Sequence, residues 1–209
     1  NTSVSGIISS DTEWTVANSP YTVTGHVTVP SGITLTIDPG VTVKFDSDKV
    51  MEVEGTLVAR GTSNSNVSFT SNSTSPEAGD WGYIKFSDSS TDASFDENGD
   101  YSSGSILENC VIEYAGGVGS SNEHGTGQVV TDSASPFINN CTVQHSSGNG
   151  IKAVPDGQMK ITNSTISDTY SSGISCDLQS GSECYIHGNT ITINPDLNSW
   201  GSYGVFANR

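Results

Sequence analysis

The sequence is short of positive charge. Seven Lys and Arg stand against 23 Asp and Glu, a formal net charge of −16. A surface of that sign repels phosphate backbones, which argues against nucleic acid as a partner. It also repels anionic lipid and bare polyuronate chains unless a cation bridges them. Long apolar runs are missing too, and with them any segment of membrane-spanning length. The chain begins NTSVSG, with neither an initiator Met nor the three-part pattern of a signal peptide, as a processed or excised chain does. No window sustains a 3.6-residue apolar period, so helices are expected to be nearly absent. Cysteine is scarce: Cys110, Cys141, Cys176 and Cys184 contain no CxxC pair. His26, His124, His145 and His187 are scattered, so nothing has the spacing of a zinc site.

What is present is turn chemistry and repetition. The 209 residues include 23 Gly, with Ser, Thr and Asn filling the gaps between short apolar alternations. That is the texture of many short strands joined by tight turns. The length suits a single domain. From Leu107 onward one phrase recurs: LENCVI, INNCTV from Ile138, ITNSTI from Ile161 and IHGNTI from Ile186. The phrases start 31, 23 and 25 residues apart. Gly150-Ile151, Gly173-Ile174 and Gly204-Val205 open a further strand in each repeat, and NPDLNSW lengthens the last one.

A period near 23 residues with two or three strands per unit is one turn of a β-solenoid. A single turn cannot bury its inward side chains alone. It buries them against the same positions of the turns above and below, stacked at about 4.8 Å, so residue types recur in columns. Leu107, Ile138, Ile161 and Ile186 are expected to form one inward column. Asn109, Asn140 and Asn163 form another, at a turn where Asn tolerates left-handed backbone and where stacked amides hydrogen-bond along the rod.

The first half is less regular. Val27, Val29, Ile33, Leu35, Ile37, Val41 and Val43 alternate with polar residues, punctuated by PSG, DPG, VEG and ARG. Residues 1–26 are expected to cap the rod, since an open solenoid exposes a sheet edge. Insertions are expected at about 71–81, 87–104, 115–128 and 194–202. The stretches WTVANSPYTVTGHVTVPSGITLTIDPGVTVKF, LVARGTSNSNVSFTS, GDWGYIKFSDSS and GSILENCVIEYAGG resemble secreted bacterial and archaeal right-handed parallel β-helix repeat proteins of the pectate-lyase-like superfamily. The resemblance implies an all-β, right-handed parallel β-helix and extracellular or cell-surface placement. It leaves activity open, because that superfamily holds lyases, glycoside hydrolases and non-catalytic surface proteins alike.

Candidate sites are few. The stretch SDSSTDASFDENGDYSSG gathers Asp92, Asp96, Asn98 and Asp100, and alternate oxygens around Gly99 resemble the start of a calcium loop. Leu107 stands where an EF-hand would place its Glu, and the same spacing suits a solvated acidic loop. Cys176 and Cys184 bracket the turn DLQSGSE, and a local disulfide is the first expectation for an oxidising compartment. Cys110 and Cys141 share a column, either bridged or as buried thiols. Trp200 and Tyr203 are the aromatic candidates for stacking on a sugar ring, while Trp14 and Trp81 read as packing residues. No basic cluster of the kind a β-helix lyase needs is visible, and only Lys85 is near the acidic loop in sequence.

Two functions follow. One is a non-catalytic structural or adhesive module that meets other copies or flanking repeats through the rod ends. The other is a β-helix that recognises extracellular polysaccharide, with calcium assistance at the acidic loop. A lateral groove lined by Trp200, Tyr203 or that loop favours the second.

Overall fold

The structure, a computed structural model, describes residues 1–117, 127–154, 159–177, 183–192 and 203–208. Its strands coil into a prism with three faces, all in parallel register. The first face stacks Thr12–Trp14, Thr34–Ile37, Thr56–Arg60, Ile106–Glu108, Phe137–Asn139, Lys160–Thr162 and Tyr185–His187. The second runs from the front half of Tyr21–Val29 through Thr42–Phe45, Val67–Ser71, Cys110–Glu113, Thr142–Ser146 and Thr165–Thr169 to Thr190–Thr192. The third starts from the rear half of Tyr21–Val29 and continues through Met51–Val53, Ile84–Phe86, Gly127–Asp132, Asn149–Val154 and Ile174–Asp177 to Val205–Asn208. The long strand Tyr21–Val29 bends around the corner between these two faces. It pairs Thr42–Phe45 at one end and Met51–Val53 at the other. The only helical turn among the described residues is a short 3₁₀ segment, Val16–Asn18.

The inward columns exist as the repeat demands. On the first face Trp14, Ile37, Ala59, Leu107, Ile138, Ile161 and Ile186 are Cα partners in successive strands. On the second, Val43, Phe69, Ile112, Val143, Ile166 and Ile191 follow one another. On the third, Met51, Ile84, Val129, Ile151, Ile174 and Val205 do the same. Most of these side chains are fully buried and form one continuous core. Each rung presents the next with a surface of its own shape, which is how short strands reach interior packing density.

The corners carry the chain's unusual backbone. Asn109, Asn140 and Asn163 all have positive φ, at 49°, 52° and 54°. The Asn140 amide donates to the Asn109 side chain, and Asn109 donates to the Gly61 carbonyl at 3.2 Å. Asn163 breaks the expected ladder: its amide turns to Asn139 Oδ1 at 3.1 Å. Asn140→Ala is expected to destabilise the chain by about 1–2 kcal/mol, from a strained left-handed Ala and one lost hydrogen bond, read from the denaturant midpoint. At another corner Gly150 is required by close approach: a Cβ there would lie 2.6 Å from the Gly173 carbonyl oxygen and 2.6 Å from Ile166 Cγ2.

Residues 1–26, expected as a cap, build the terminal coil in the same register as the rest. Strand Thr2–Ile7 lies along both halves of Tyr21–Val29, and Thr12–Trp14 pairs with Thr34–Ile37. Trp14 is buried and stacks on Tyr21 with ring centroids 4.8 Å apart. Of the insertions, the one expected at 71–81 carries Trp81 down onto the core, and the one at 87–104 holds a β-hairpin, Ser94–Phe95 with Tyr101–Ser103. The 194–202 insertion lies outside the described residues, as do 118–126 of the third insertion.

Candidate functional site: a groove on the first face

On either side of the inward column of the first face, two outward columns line up. One runs Val58, Ile106, Phe137, Lys160, Tyr185; the other runs Arg60, Glu108, Asn139, Thr162, His187. The period-2 alternation of a strand forces this arrangement: residues flanking an inward Ile must point out. The second column is wired along the rod. Arg60 Nε donates to Glu108 Oε2 at 2.8 Å, Asn139 Nδ2 to Glu108 Oε1 at 2.9 Å, and Thr162 Oγ1 to Asn139 Oδ1 at 2.8 Å.

The hairpin of residues 94–103 folds against the first column and turns this flat face into a groove of about 460 Å³. Phe95 meets Phe137 edge-on with centroids 5.2 Å apart, and the Tyr101 ring lies 6.3 Å from it. The Tyr101 hydroxyl donates to the Gly104 carbonyl at 2.7 Å, which fixes the ring, and partial burial holds its phenol above the ordinary value. The Arg60 guanidinium sits 5.2 Å from the Tyr101 ring centre. Lys160 Nζ stands over three rings, Phe95 at 4.0 Å, Phe137 at 5.1 Å and Tyr185 at 5.7 Å. Such cation–π placement holds an ammonium without a carboxylate partner. Phe137 is covered, whereas Tyr185 is 54% exposed and offers an open ring face.

The acidic hairpin is organised by one of its own carboxylates. Asp96 Oδ1 accepts the amide N–H groups of Asn98 and Asp100, both at 2.9 Å, so this carboxylate caps its own turn. Those backbone hydrogen bonds hold its pKa below the usual carboxylate range. Asp92 Oδ1 accepts the Ser135 N–H at 2.8 Å. Asp100 lines the groove. Among the described residues no group of three or more His, Cys, Asp or Glu side chains converges as metal ligands do. The depressed Asp96 carboxyl supports the turn above the unfolded pKa, and that support is lost as pH falls through the lower folded value. The protection factors of the Asn98 and Asp100 amides, taken relative to intrinsic exchange at each pH, are expected to fall in that acidic window.

The remaining candidates are placed as follows. Tyr203 is exposed but lies at the last described coil, beside Phe206 with centroids 5.4 Å apart, away from the groove. Trp200 and His124 lie outside the described residues. Cys110 and Cys141 are buried free thiols; each Sγ donates to backbone carbonyls, Cys110 to Ala59 at 3.4 Å and Cys141 to Leu107 at 3.3 Å. Cys176 and Cys184, expected as a disulfide pair, stand as thiols, the first buried and the second half-buried. The sequence reading also missed a pair assembled across coils. His145 Nδ1 and Asp168 Oδ2 are 2.6 Å apart, with Tyr114 stacked on the imidazole at 4.9 Å. All three occupy left-handed corner positions, φ 64° at Tyr114, 55° at His145 and 51° at Asp168. Applying the repeat spacings to polar as well as apolar residues would have found them.

Two family models match the chain. One, described as a right handed beta helix region, covers residues 59–208; the other, a pectate-lyase like beta helix domain, covers residues 6–91. No curated protein and no solved structure matches the chain. Among the described residues no helix is long and apolar enough to cross a membrane.

Proposed function

The chain belongs to the right-handed β-helix family, and on that scaffold we propose that the groove of the first face binds an extracellular polysaccharide without cleaving it. The observation that carries this reading is the exposed Tyr185 ring beside a hydrogen-bonding column, with rungs repeating at about 4.8 Å, comparable to the length of one sugar residue. Carbohydrate recognition needs such a pairing: a flat apolar ring for the C–H face of a pyranose, and fixed donors and acceptors for its hydroxyls. Glu108, Asn139 and Thr162 are already oriented by one another, so little ordering cost falls on binding.

Charge narrows the ligand. The groove is lined by two cations, Arg60 and Lys160, and two carboxylates, Asp100 and Glu108, in a chain of net charge −16. This local balance, within a negative long-range field, favours a neutral saccharide over a polyanion. Arg60 is engaged by Glu108 at 2.8 Å and Lys160 by aromatic rings, which supports binding over proton abstraction. The test is retention on a panel of neutral and acidic glycans. Tyr185→Ala is expected to weaken the best neutral ligand about tenfold (~1.4 kcal/mol), and Tyr203→Ala to leave it unchanged. Absence of any retained glycan, or equal loss in the two variants, contradicts the reading.

A second reading rests on the last described coil, where Tyr203, Val205 and Phe206 are 50%, 45% and 40% exposed. We propose that a further coil, from flanking repeats or from another copy, stacks on strand Val205–Asn208 and continues the sheet. Sedimentation over a wide concentration range tests the contact between copies. A rise in mass abolished by Phe206→Asp supports it, and a constant monomer mass contradicts it.

A further inference from the structure

The first column of the groove is covered unevenly. Register places Ile106, Phe137, Lys160 and Tyr185 on the outside of successive strands, each beside an inward residue. Yet Ile106 is fully buried and Phe137 is 8% exposed, while Tyr185 stands open. Ile106 and Phe137 also lie apart from the continuous core that fills the coils. Their cover therefore comes from the outer side of the sheet, and the hairpin supplies it. Phe95 and Tyr101 both pack on the Phe137 ring, and Phe95 reaches as far as Lys160 Nζ. Tyr101 crosses to the second column, where it meets the Arg60 guanidinium. Arg60 is held there by Glu108 Oε2, which accepts from Nε and contacts a terminal nitrogen, both at 2.8 Å. The hairpin and Arg60 together thus span both columns and wall off one end of the groove.

The wall is fixed. Asp96 caps its turn, and the Tyr101 hydroxyl is bonded to the Gly104 carbonyl. At its root Gly104 has φ 92° and packs so closely that a Cβ would collide with the Asp92 carbonyl oxygen. From this geometry we infer that the groove, blind at Tyr101 and Arg60 and open at Tyr185, takes the end of a neutral saccharide chain and excludes the chain's interior, an inference that rests on the saccharide reading above. A polymer passing through would have to continue over Ile106 and Phe137, where the hairpin lies. A chain end stops at Tyr101, and the sugars behind it run out over Lys160 and Tyr185. The lining of the blind end suits a terminus. A terminal sugar carries a free hydroxyl where an internal one carries the next linkage. Arg60, Asp100 and the Tyr101 ring supply a donor, an acceptor and an apolar face at that point. Asp100 is assigned as the acceptor of the terminal hydroxyl, and a site built to bond a hydroxyl discriminates strongly against a ligand that lacks it.

The experiment titrates the full chain with soluble linear glucan, mannan and xylan, each as the native polymer and as an acid hydrolysate shortened about tenfold. Isothermal titration calorimetry reads the number of sites per unit mass of glycan. For a bound glycan, the hydrolysate is expected to offer about tenfold more sites per unit mass than the polymer, because ends multiply as chains shorten. Tyr101→Ala breaches the wall and is expected to bind chain interiors too, so that the site number no longer follows length. Asp100→Ala leaves the wall standing and is expected to keep the length dependence while each site weakens several-fold. Thermal melts check that both variants fold. Equal site numbers for polymer and hydrolysate in the wild type overturn the inference and leave saccharide binding standing. A length dependence that persists unchanged in Tyr101→Ala also overturns it, and wild-type affinity in Asp100→Ala overturns the role of that carboxylate. No binding to any of the three glycans, long or short, overturns the saccharide reading and the inference with it.

Discussion

Replacing Ile138 by Asp is expected to cost the fold roughly 4 kcal/mol or more, enough to remove most of the margin of a typical domain. Ile138 is fully buried and pairs with Leu107 on one side and Ile161 on the other, both also fully buried. A carboxylate there has no cation within the column and no route to water. It must either take up a proton or admit solvent between rungs. Because every rung completes the one beneath, damage in the middle of the column is expected to spread to neighbouring coils and lower the cooperativity of unfolding. The control is Ile186→Asp, at the last described rung of the same face, where the side chain is only partly buried. It is expected to cost less than half as much. Denaturant melts of the two variants check the gradient; equal effects at the two positions contradict it.

The second large effect is expected at Trp81. This indole is wholly buried, stacks on Phe45 with centroids 3.9 Å apart, and donates Nε1–H to the Glu113 carbonyl at 2.8 Å. It thereby fixes residues 72–83, which lead from the second face to the third, onto the core. Trp81→Ala removes one of the largest buried side chains among the described residues and is expected to cost about 3–5 kcal/mol. Trp81→Phe keeps the stacking and loses the donor, leaving a buried carbonyl underserved; about 1–3 kcal/mol is expected. Thermal midpoints of the two variants separate packing from hydrogen bonding: Trp81→Ala is expected to fall well below Trp81→Phe.

The columns were legible in the sequence for the same physical reason that makes them stable. Inward positions must match from coil to coil, so Leu107, Ile138, Ile161 and Ile186 spell the same word. The Asn corner was legible too, because few side chains accept its backbone geometry. The groove was only half legible. Its outward residues stand in plain order beside each inward Ile, in FIN, KIT and YIH. The hairpin that walls it comes from an insertion, and insertions carry no register from which to read where they dock. The oxygen spacing of Asp96 and Asn98 suits a turn that caps itself as well as it suits a cation. His145 and Asp168 are 23 residues apart, one coil of the repeat, and escaped notice because polar columns are rarely sought.

The proposed ligand contact on the side of the rod, at the column formed by Phe137, Lys160 and Tyr185, is tested most directly by amide chemical-shift mapping of the isotope-labelled chain during titration with the best-retained neutral oligosaccharide. Saturable shifts are expected at Tyr101, Phe137, Asn139, Lys160 and Tyr185 and nowhere else. Shifts centred instead on Tyr203 and Phe206 at the last described coil, or no saturable shifts at any concentration, would contradict it.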